Sequence, residues 1–123
     1  MTAETTTVEI GARNEQRAVE ALQDRGYAIV ERNFRVKTAE LDIVARDRDG
    51  VLCFVEVRSR ADDHFGNAAE TVGTIKRAKV TRGARAYLAV RKPAFEQARF
   101  DVVAITGERI DVIADAWRLA SDL

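Results

Sequence analysis

The chain lacks most of what would commit it to a stapled or membrane-bound form. A single cysteine, Cys53, allows no disulfide framework, and a reducing, cytoplasmic location is expected. Cys53 sits inside an apolar run, which makes it a core residue rather than a nucleophile. The only histidine, His64, falls in a polar segment and reads as an exposed loop side chain. No stretch approaches the ~20 uninterrupted apolar residues of a spanning helix, and the N-terminus has no basic-then-apolar signal pattern, so no membrane role is expected. One proline and seven glycines leave little room for disorder beyond Met1 to Thr7, a Thr-rich stretch expected to be a flexible tail. No internal repeat or low-complexity segment follows it.

What remains, at 123 residues and 46% hydrophobic content, suffices for one domain over residues 8–123 with a single core. Net charge is also absent, with 20 basic and 20 acidic residues, but the balance hides a segregation. Between Thr74 and Lys92 stand Lys76, Arg77, Lys79, Arg82, Arg85, Arg91 and Lys92 and no acid, which leaves 13 bases against all 20 acids elsewhere. A surface of that kind suits a polyanion.

The acids are placed where acids are costly. Val51-Leu52-Cys53-Phe54-Val55 is apolar at consecutive positions, as in a strand covered on both faces, and Glu56 follows directly. On the preceding strand, Glu40 to Asp47, Asp42 is flanked by Leu41 and Ile43. Carboxylates so placed need partners. The intervening turn admits two registers. A two-residue Asp49-Gly50 turn sets Glu56 against Ile43 and puts Asp42 on the other face. A three-residue Arg48-Asp49-Gly50 loop with Gly50 left-handed sets Asp42 against Glu56 and Glu40 against Arg58. The second is preferred because Gly50 suits it and because a cation between Asp42 and Glu56 would relieve their repulsion. Any one of these acids taken alone reads better as a solvated strand end.

Around this hairpin the patterning predicts a helix from Val8 to Arg25 capped by Gly26, with Ala12, Val19 and Leu22 on its packing face and Glu15 in the middle of that face. A strand over Tyr27 to Arg35 follows, with Tyr27, Ile29 and Val30 supplying core. After the hairpin, Ala61 to Gly73 reads as a loop. A second helix is expected from Thr74 to Arg91, with Pro93 beyond its end, Val80, Ala84, Tyr87 and Leu88 on its core face, and Lys79, Arg82 and Arg85 opposite, where they could grip phosphates. Gly83 in mid-helix marks a close packing contact. Strands over Arg99 to Thr106 and Arg109 to Ala114, and a short helix from Trp117, complete an αβββαββ order: an α/β fold with a mixed sheet between helices.

Glu15, Asp42 and Glu56 with Arg58, in this order on these elements, resemble the Asp…(Asp/Glu)-x-Lys signature of the restriction-endonuclease-like fold. More closely, the set Gly11…Glu15…Ala18, Gly26-Tyr27, Arg32-Asn33-Phe34-Arg35, Glu40-Leu41-Asp42-Ile43, Phe54-Val55-Glu56-Val57-Arg58, Phe65-Gly66, Lys76, Ala86-Tyr87-Leu88 and Arg99-Phe100-Asp101-Val102-Val103 resembles the YraN-like family of small bacterial predicted endonucleases, itself similar to archaeal Holliday junction resolvases. The signature alone is weak; the whole set in order is specific.

The resemblance implies metal-dependent cleavage of a nucleic-acid phosphodiester, with DNA of branched or junction form as the expected partner. Asp42 and Glu56 would be ligands of Mg²⁺ (or Mn²⁺), and Glu15 would assist from the helix. The chemistry agrees, since Mg²⁺ keeps several waters and needs only one or two protein carboxylates. One departure matters: the signature lysine is Arg58, which supplies charge and hydrogen bonds but cannot act as a general base, and Lys76 is the candidate to replace it. A non-catalytic nucleic-acid-binding module that retains the fold is therefore the alternative. A homodimer follows only by analogy with resolvases acting on two-fold junctions.

Overall fold

The computed structural model describes residues 6–60 and 74–117, with side chains of the second stretch from Arg77 onward. Among these residues the order is α1 (Thr7–Asp24), β1 (Ala28–Val36), β2 (Ala39–Arg46), β3 (Leu52–Arg60), α2 (Thr74–Arg91), β4 (Ala98–Thr106) and β5 (Arg109–Trp117). The αβββαββ order and the mixed sheet flanked by helices are as expected. The five strands lie side by side in sequence order. β3 and β4 are parallel, joined by the crossover that carries α2, and the other neighbours are antiparallel.

The covered strand is the central one. Leu52 to Glu56 of β3 are all buried, and alternate residues feed two apolar layers. Leu52 and Phe54 pack with Phe34, Val80, Tyr87 and Phe100 on the α2 side. Cys53 and Val55 pack with Val19, Leu22, Ile43 and Val103 on the α1 side. Burial pushes the Cys53 thiol up to about 12, in keeping with a core residue.

α1 starts earlier than expected, because Thr6 accepts the Glu9 N–H on its hydroxyl (3.1 Å) and caps the helix. Thr6 and Thr7 thus belong to the helix start; the rest of the expected tail lies outside the described residues. Gly26 ends the helix in the left-handed conformation (φ 87°). Only its second half packs: Ala18, Val19, Ala21 and Leu22 are buried, whereas Ala12 is exposed because the first turns reach beyond the sheet. Val30 is likewise exposed rather than core, since it is the unpaired residue where β1 shifts register against β2 between Ile29 and Glu31.

The 48–50 loop takes the three-residue form. Asp47 N–H donates to Val51 O (3.1 Å), Gly50 has φ 83°, and the Asp47 carboxylate accepts the N–H groups of Asp49 and Val51. This sets Arg46 against Leu52 and Ile43 against Val55, the register preferred from the sequence. α2 matches its expected bounds. A Cβ on Gly83 would stand 2.6 Å from Glu40 O and 2.9 Å from Leu41 Cδ2, so the absence of a side chain lets α2 sit directly on β2. At its far end Arg91 grips Glu31 of β1 through two bonds (2.9 and 2.8 Å) and lies over the Phe34 ring.

Trp117 is the last residue of β5 and stacks on Phe100 at 4.9 Å; it does not start a helix. β5 extends past Ala114 because Asp115 adopts a left-handed conformation (φ 55°) and donates its N–H to the buried Asp101. Residues 118–123 and the 61–73 segment with His64, Phe65 and Gly66 lie outside the described residues. No helix among the described residues is long and apolar enough to cross a membrane.

Candidate metal and nucleic-acid site

The site forms where two ladders break at one place. β1 and β2 pair Arg32 with Ile43 and Phe34 with Leu41, but the intervening Asn33 and Asp42 make no ladder pair. Asn33 is left-handed (φ 54°). Across this step the alternation reverses. Ile43 packs on the α1 side with Val55, whereas Leu41, two residues earlier, packs on the α2 side with Phe34. A regular strand would put Leu41 and Ile43 on one face.

The β2–β3 ladder also stops at Ile43–Val55. In place of the next pair, the Asp42 carboxylate Oδ2 accepts the Val57 N–H at 2.9 Å. Asp42 is therefore held beside β3 by a charge-assisted bond to backbone, and it faces a cleft of about 320 Å³ that Glu56 also lines. Glu56 is 5% exposed and Asp42 half-buried, so the two acids form the inner part of the cleft. Glu40, expected opposite Arg58, instead pairs with Arg35 across β1–β2 at 3.5 Å, and this exposed contact contributes little.

The rim is basic. Lys79 and Arg82 of α2 line the cleft, as do Arg35 and Lys37 from the end of β1 and the turn after it. Helical periodicity sets Lys79 and Arg82 on a face turned away from the core, for phosphate alone. Gly83 corrects this picture: by seating α2 on Glu40 O, it brings the helix edge with Lys79 and Arg82 over the acids. Arg85 is exposed on α2 and does not line the cleft. Lys76 lies in the first turn of α2, and its side chain falls outside the described residues.

Two other expected members are elsewhere. Arg58 follows Glu56 on the same strand face but is not among the residues lining the cleft. Glu15 does not reach it either. Its Oε1 accepts Arg32 Nε (2.9 Å) and Asn33 Nδ2 (3.0 Å), on the α1 side of β1. Lys37, Asn33 and the Val57 N–H are not singled out by the sequence, and Arg35 enters there only with Arg32 and Arg60 as an alternative basic surface. The basic pair in Arg35-Val36-Lys37 is the available signal for Lys37.

Among the described residues, no group of three or more histidines, cysteines and acids is placed to hold a metal ion. Of the three acids that line the cleft, Glu40 is exposed and pairs with Arg35, which leaves Asp42 and Glu56 as the inner donors, one with an oxygen already bonded to backbone. Two hard oxygen donors with room for water fit Mg²⁺ or Mn²⁺, which retain several waters, and do not make an all-protein cage.

A second polar cluster lies apart from the cleft. Asp101, fully buried, accepts Tyr27 OH (2.7 Å), Arg99 Nε (2.9 Å) and Asp115 N–H (2.8 Å), and Arg99 also bonds Asp47 (2.6 Å). Burial and the bond to Asp101 push the Tyr27 hydroxyl up to about 12. Burial alone would raise the Asp47 carboxyl, but bonds from Val51, Arg99 and Asp49 outweigh it and hold the group below its ordinary value. This cluster ties the end of α1 to β2, β4 and β5, which accounts for Gly26-Tyr27 and Arg99-Phe100-Asp101 as framework.

Residues 14–105, which span the kinked hairpin, α2 and all of this cluster but Asp115, match the uncharacterised protein family UPF0102. The chain belongs to that family. It is 47% identical over 122 residues to a UPF0102 protein of Methylibium petroleiphilum, covering 94% of this chain and 95% of that one. To a UPF0102 protein of Burkholderia pseudomallei it is 44% identical over 109 residues, covering 89% and 75%. The UPF0102 match agrees with the YraN-like resemblance read from the motifs. Among solved structures, an EndoMS complex with double-stranded DNA is similar with a TM-score of 0.41 and 18% identity, over 86% of this chain and 39% of that one. A repair endonuclease from Pyrococcus abyssi gives 0.38 and 15%, over 86% and 41%. The UPF0102 chain spans about two-fifths of the length of each.

Proposed function

We propose that this UPF0102 chain is a divalent-metal-dependent nuclease acting on DNA. The observation that carries the reading is the cleft itself, in which Asp42 and Glu56 lie beneath a rim of Lys79, Arg82, Arg35 and Lys37. Acids at the bottom and bases at the edge suit a phosphodiester held over a cation, and suit neither a bare anion nor an apolar ligand.

Asp42 and Glu56 would hold Mg²⁺ or Mn²⁺. Bound there, the ion would supply Lewis-acid stabilisation of a phosphoryl oxygen and a water of lowered pKa. The protein's own part is positioning and charge. The Val57 N–H fixes the Asp42 carboxylate, so its outer oxygen is presented without rotation. Arg35, Lys37 and Arg82 bind the phosphates on either side of the scissile bond. Lys79 supplies the amine that the signature lacks at Arg58: it can neutralise a phosphate oxygen or exchange a proton, which a guanidinium cannot do near neutral pH. Arg85, further along α2, extends the phosphate track. Selectivity for junctions or flaps, and a homodimer to match a two-fold junction, belong to the same proposal by analogy with resolvases.

One observation favours a second reading. The base at position 58 is an arginine outside the cleft lining, so a module that binds nucleic acid and no longer cuts it fits the same surface. Incubation with labelled duplex, flap and four-way-junction DNA, with and without Mn²⁺, separates the two. The nuclease reading expects metal-dependent cuts that vanish in Asp42→Asn; binding without cutting by the unaltered protein on all three substrates would favour the module.

A further inference from the structure

Glu15 carries a charge at the edge of the core yet stands away from the cleft, and Asn33 is a non-glycine residue held left-handed inside a strand. The two are joined: Asn33 Nδ2 donates to Glu15 Oε1 at 3.0 Å. The same oxygen accepts Arg32 Nε at 2.9 Å, and Arg32 also donates to Gln16 Oε1 at 3.0 Å. Three bonds thus clamp residues 32–33 of β1 to residues 15–16 of α1. Directly across the β1–β2 register from Asn33 stands Asp42.

We propose that Glu15 and Asn33 are positioning residues for Asp42, holding the kink in β1 that opens the ladder and lets the Asp42 carboxylate reach β3. The backbone carries the effect. Left-handed conformations are unfavourable for residues with a Cβ, and asparagine tolerates them better than most. With the Asn33 amide anchored to Glu15, the chain reverses its facing between Arg32 and Phe34. β2 follows, so that Ile43 stays on the α1 side and Leu41 turns to the α2 side. At the step between them, Asp42 neither packs nor pairs, and its carboxylate lies toward β3, where it takes the Val57 N–H. Glu15 therefore serves as a hydrogen-bond acceptor one strand away from the site and not as a ligand within it. The inference rests on the proposed function only for the claim that Asp42 binds a cation.

Two readouts separate the parts. The amide resonance of Val57 reports whether Asp42 is in place, with no metal needed. Calorimetry with Mn²⁺ alone reports the ligand set, and thermal unfolding checks the fold. Glu15→Ala and Asn33→Val remove the anchor or the backbone conformation. Both are expected to move the Val57 amide and weaken Mn²⁺ binding by about tenfold, as losses of outer-shell partners do. Glu15→Gln keeps the acceptor oxygen and Asn33→Gly keeps the left-handed backbone, so both should hold the Val57 resonance and leave affinity within about threefold of the unaltered protein. If Glu15→Gln loses Mn²⁺ as fully as Glu15→Ala while the Val57 amide stays unmoved, Glu15 acts by its charge and the inference is overturned. If the unaltered protein binds no Mn²⁺, the metal reading fails by itself. The Val57 amide then decides: movement in Glu15→Ala restored in Glu15→Gln upholds the positioning role, and no movement ends it. Should Asn33→Val not fold, the comparison of Glu15→Ala with Glu15→Gln decides alone.

Discussion

The Asp42 carboxylate accepts the Val57 N–H at 2.9 Å, one step past the last ladder pair between β2 and β3. An acid takes the place of a backbone partner, and the bond costs the strand pair its regular continuation. In Asp42→Asn the amide oxygen can still accept that N–H, so the fold should survive. Urea unfolding is expected to place the variant within about 1 kcal/mol of the unaltered protein, because one charge-assisted bond is exchanged for a neutral one. A much larger loss would mean that the carboxylate charge holds the hairpin together.

Gly83→Ala tests how α2 is seated over the cleft. In an isolated helix the change would gain about 1 kcal/mol. Here the new methyl would meet Glu40 O at 2.6 Å and Leu41 Cδ2 at 2.9 Å, and overpacking of this kind costs about 1–3 kcal/mol. Because a backbone oxygen cannot swing aside as a side chain can, net destabilisation is expected in chemical unfolding. An increase in stability would contradict the close seating.

Changing Lys79, Arg82 and Arg85 together to Gln should lower the dependence of log K on log salt for duplex DNA by about 2.7 units, at about 0.9 per phosphate contact. The position of the helix adds a consequence. Lys79 and Arg82 line the cleft with the acids, so removing their charge should also raise Mn²⁺ affinity, by about two- to fivefold, whereas Arg85→Gln alone should leave it unchanged. Fluorescence titration over a salt series and calorimetry check the two halves.

Acid lability should trace in part to Asp47. Its carboxyl is held below the ordinary value by bonds from Val51, Arg99 and Asp49 that outweigh burial. A carboxyl with a depressed folded pKa contributes stability above the unfolded value of about 3.9 and loses it as pH falls through the folded value. Asp47→Asn should therefore be less stable than the unaltered protein at neutral pH and flatten the decline below about pH 4. Equal slopes in the two proteins over that range would assign the lability elsewhere.

The parts of this structure that local chemistry dictates were legible in the sequence. Gly50 could be matched to a left-handed loop position, which fixed the β2–β3 register, and Thr74 and Pro93 bracketed α2. Gly83 could be read as a packing contact. The kink at Asn33 and Asp42 could not, because alternation rules assume a continuous strand and the side-chain bond made there runs from Asn33 to Glu15, 18 residues away. For the same reason Glu15 looks like a member of the site in the sequence, when its carboxylate is turned to Arg32 and Asn33. Lys79 and Arg82 were legible as a basic face. That the face meets the acids depends on where α2 rests on the sheet, which no helix wheel contains.

Mn²⁺ calorimetry on the unaltered protein, Asp42→Asn and Glu56→Gln, each checked for an intact fold by its amide spectrum, tests the metal site most directly. One site per chain is expected in the unaltered protein, with affinity reduced by at least about tenfold in both variants. Equal affinity in all three proteins would contradict the assignment, because the cleft between β2, β3 and α2 would then not be where the cation binds.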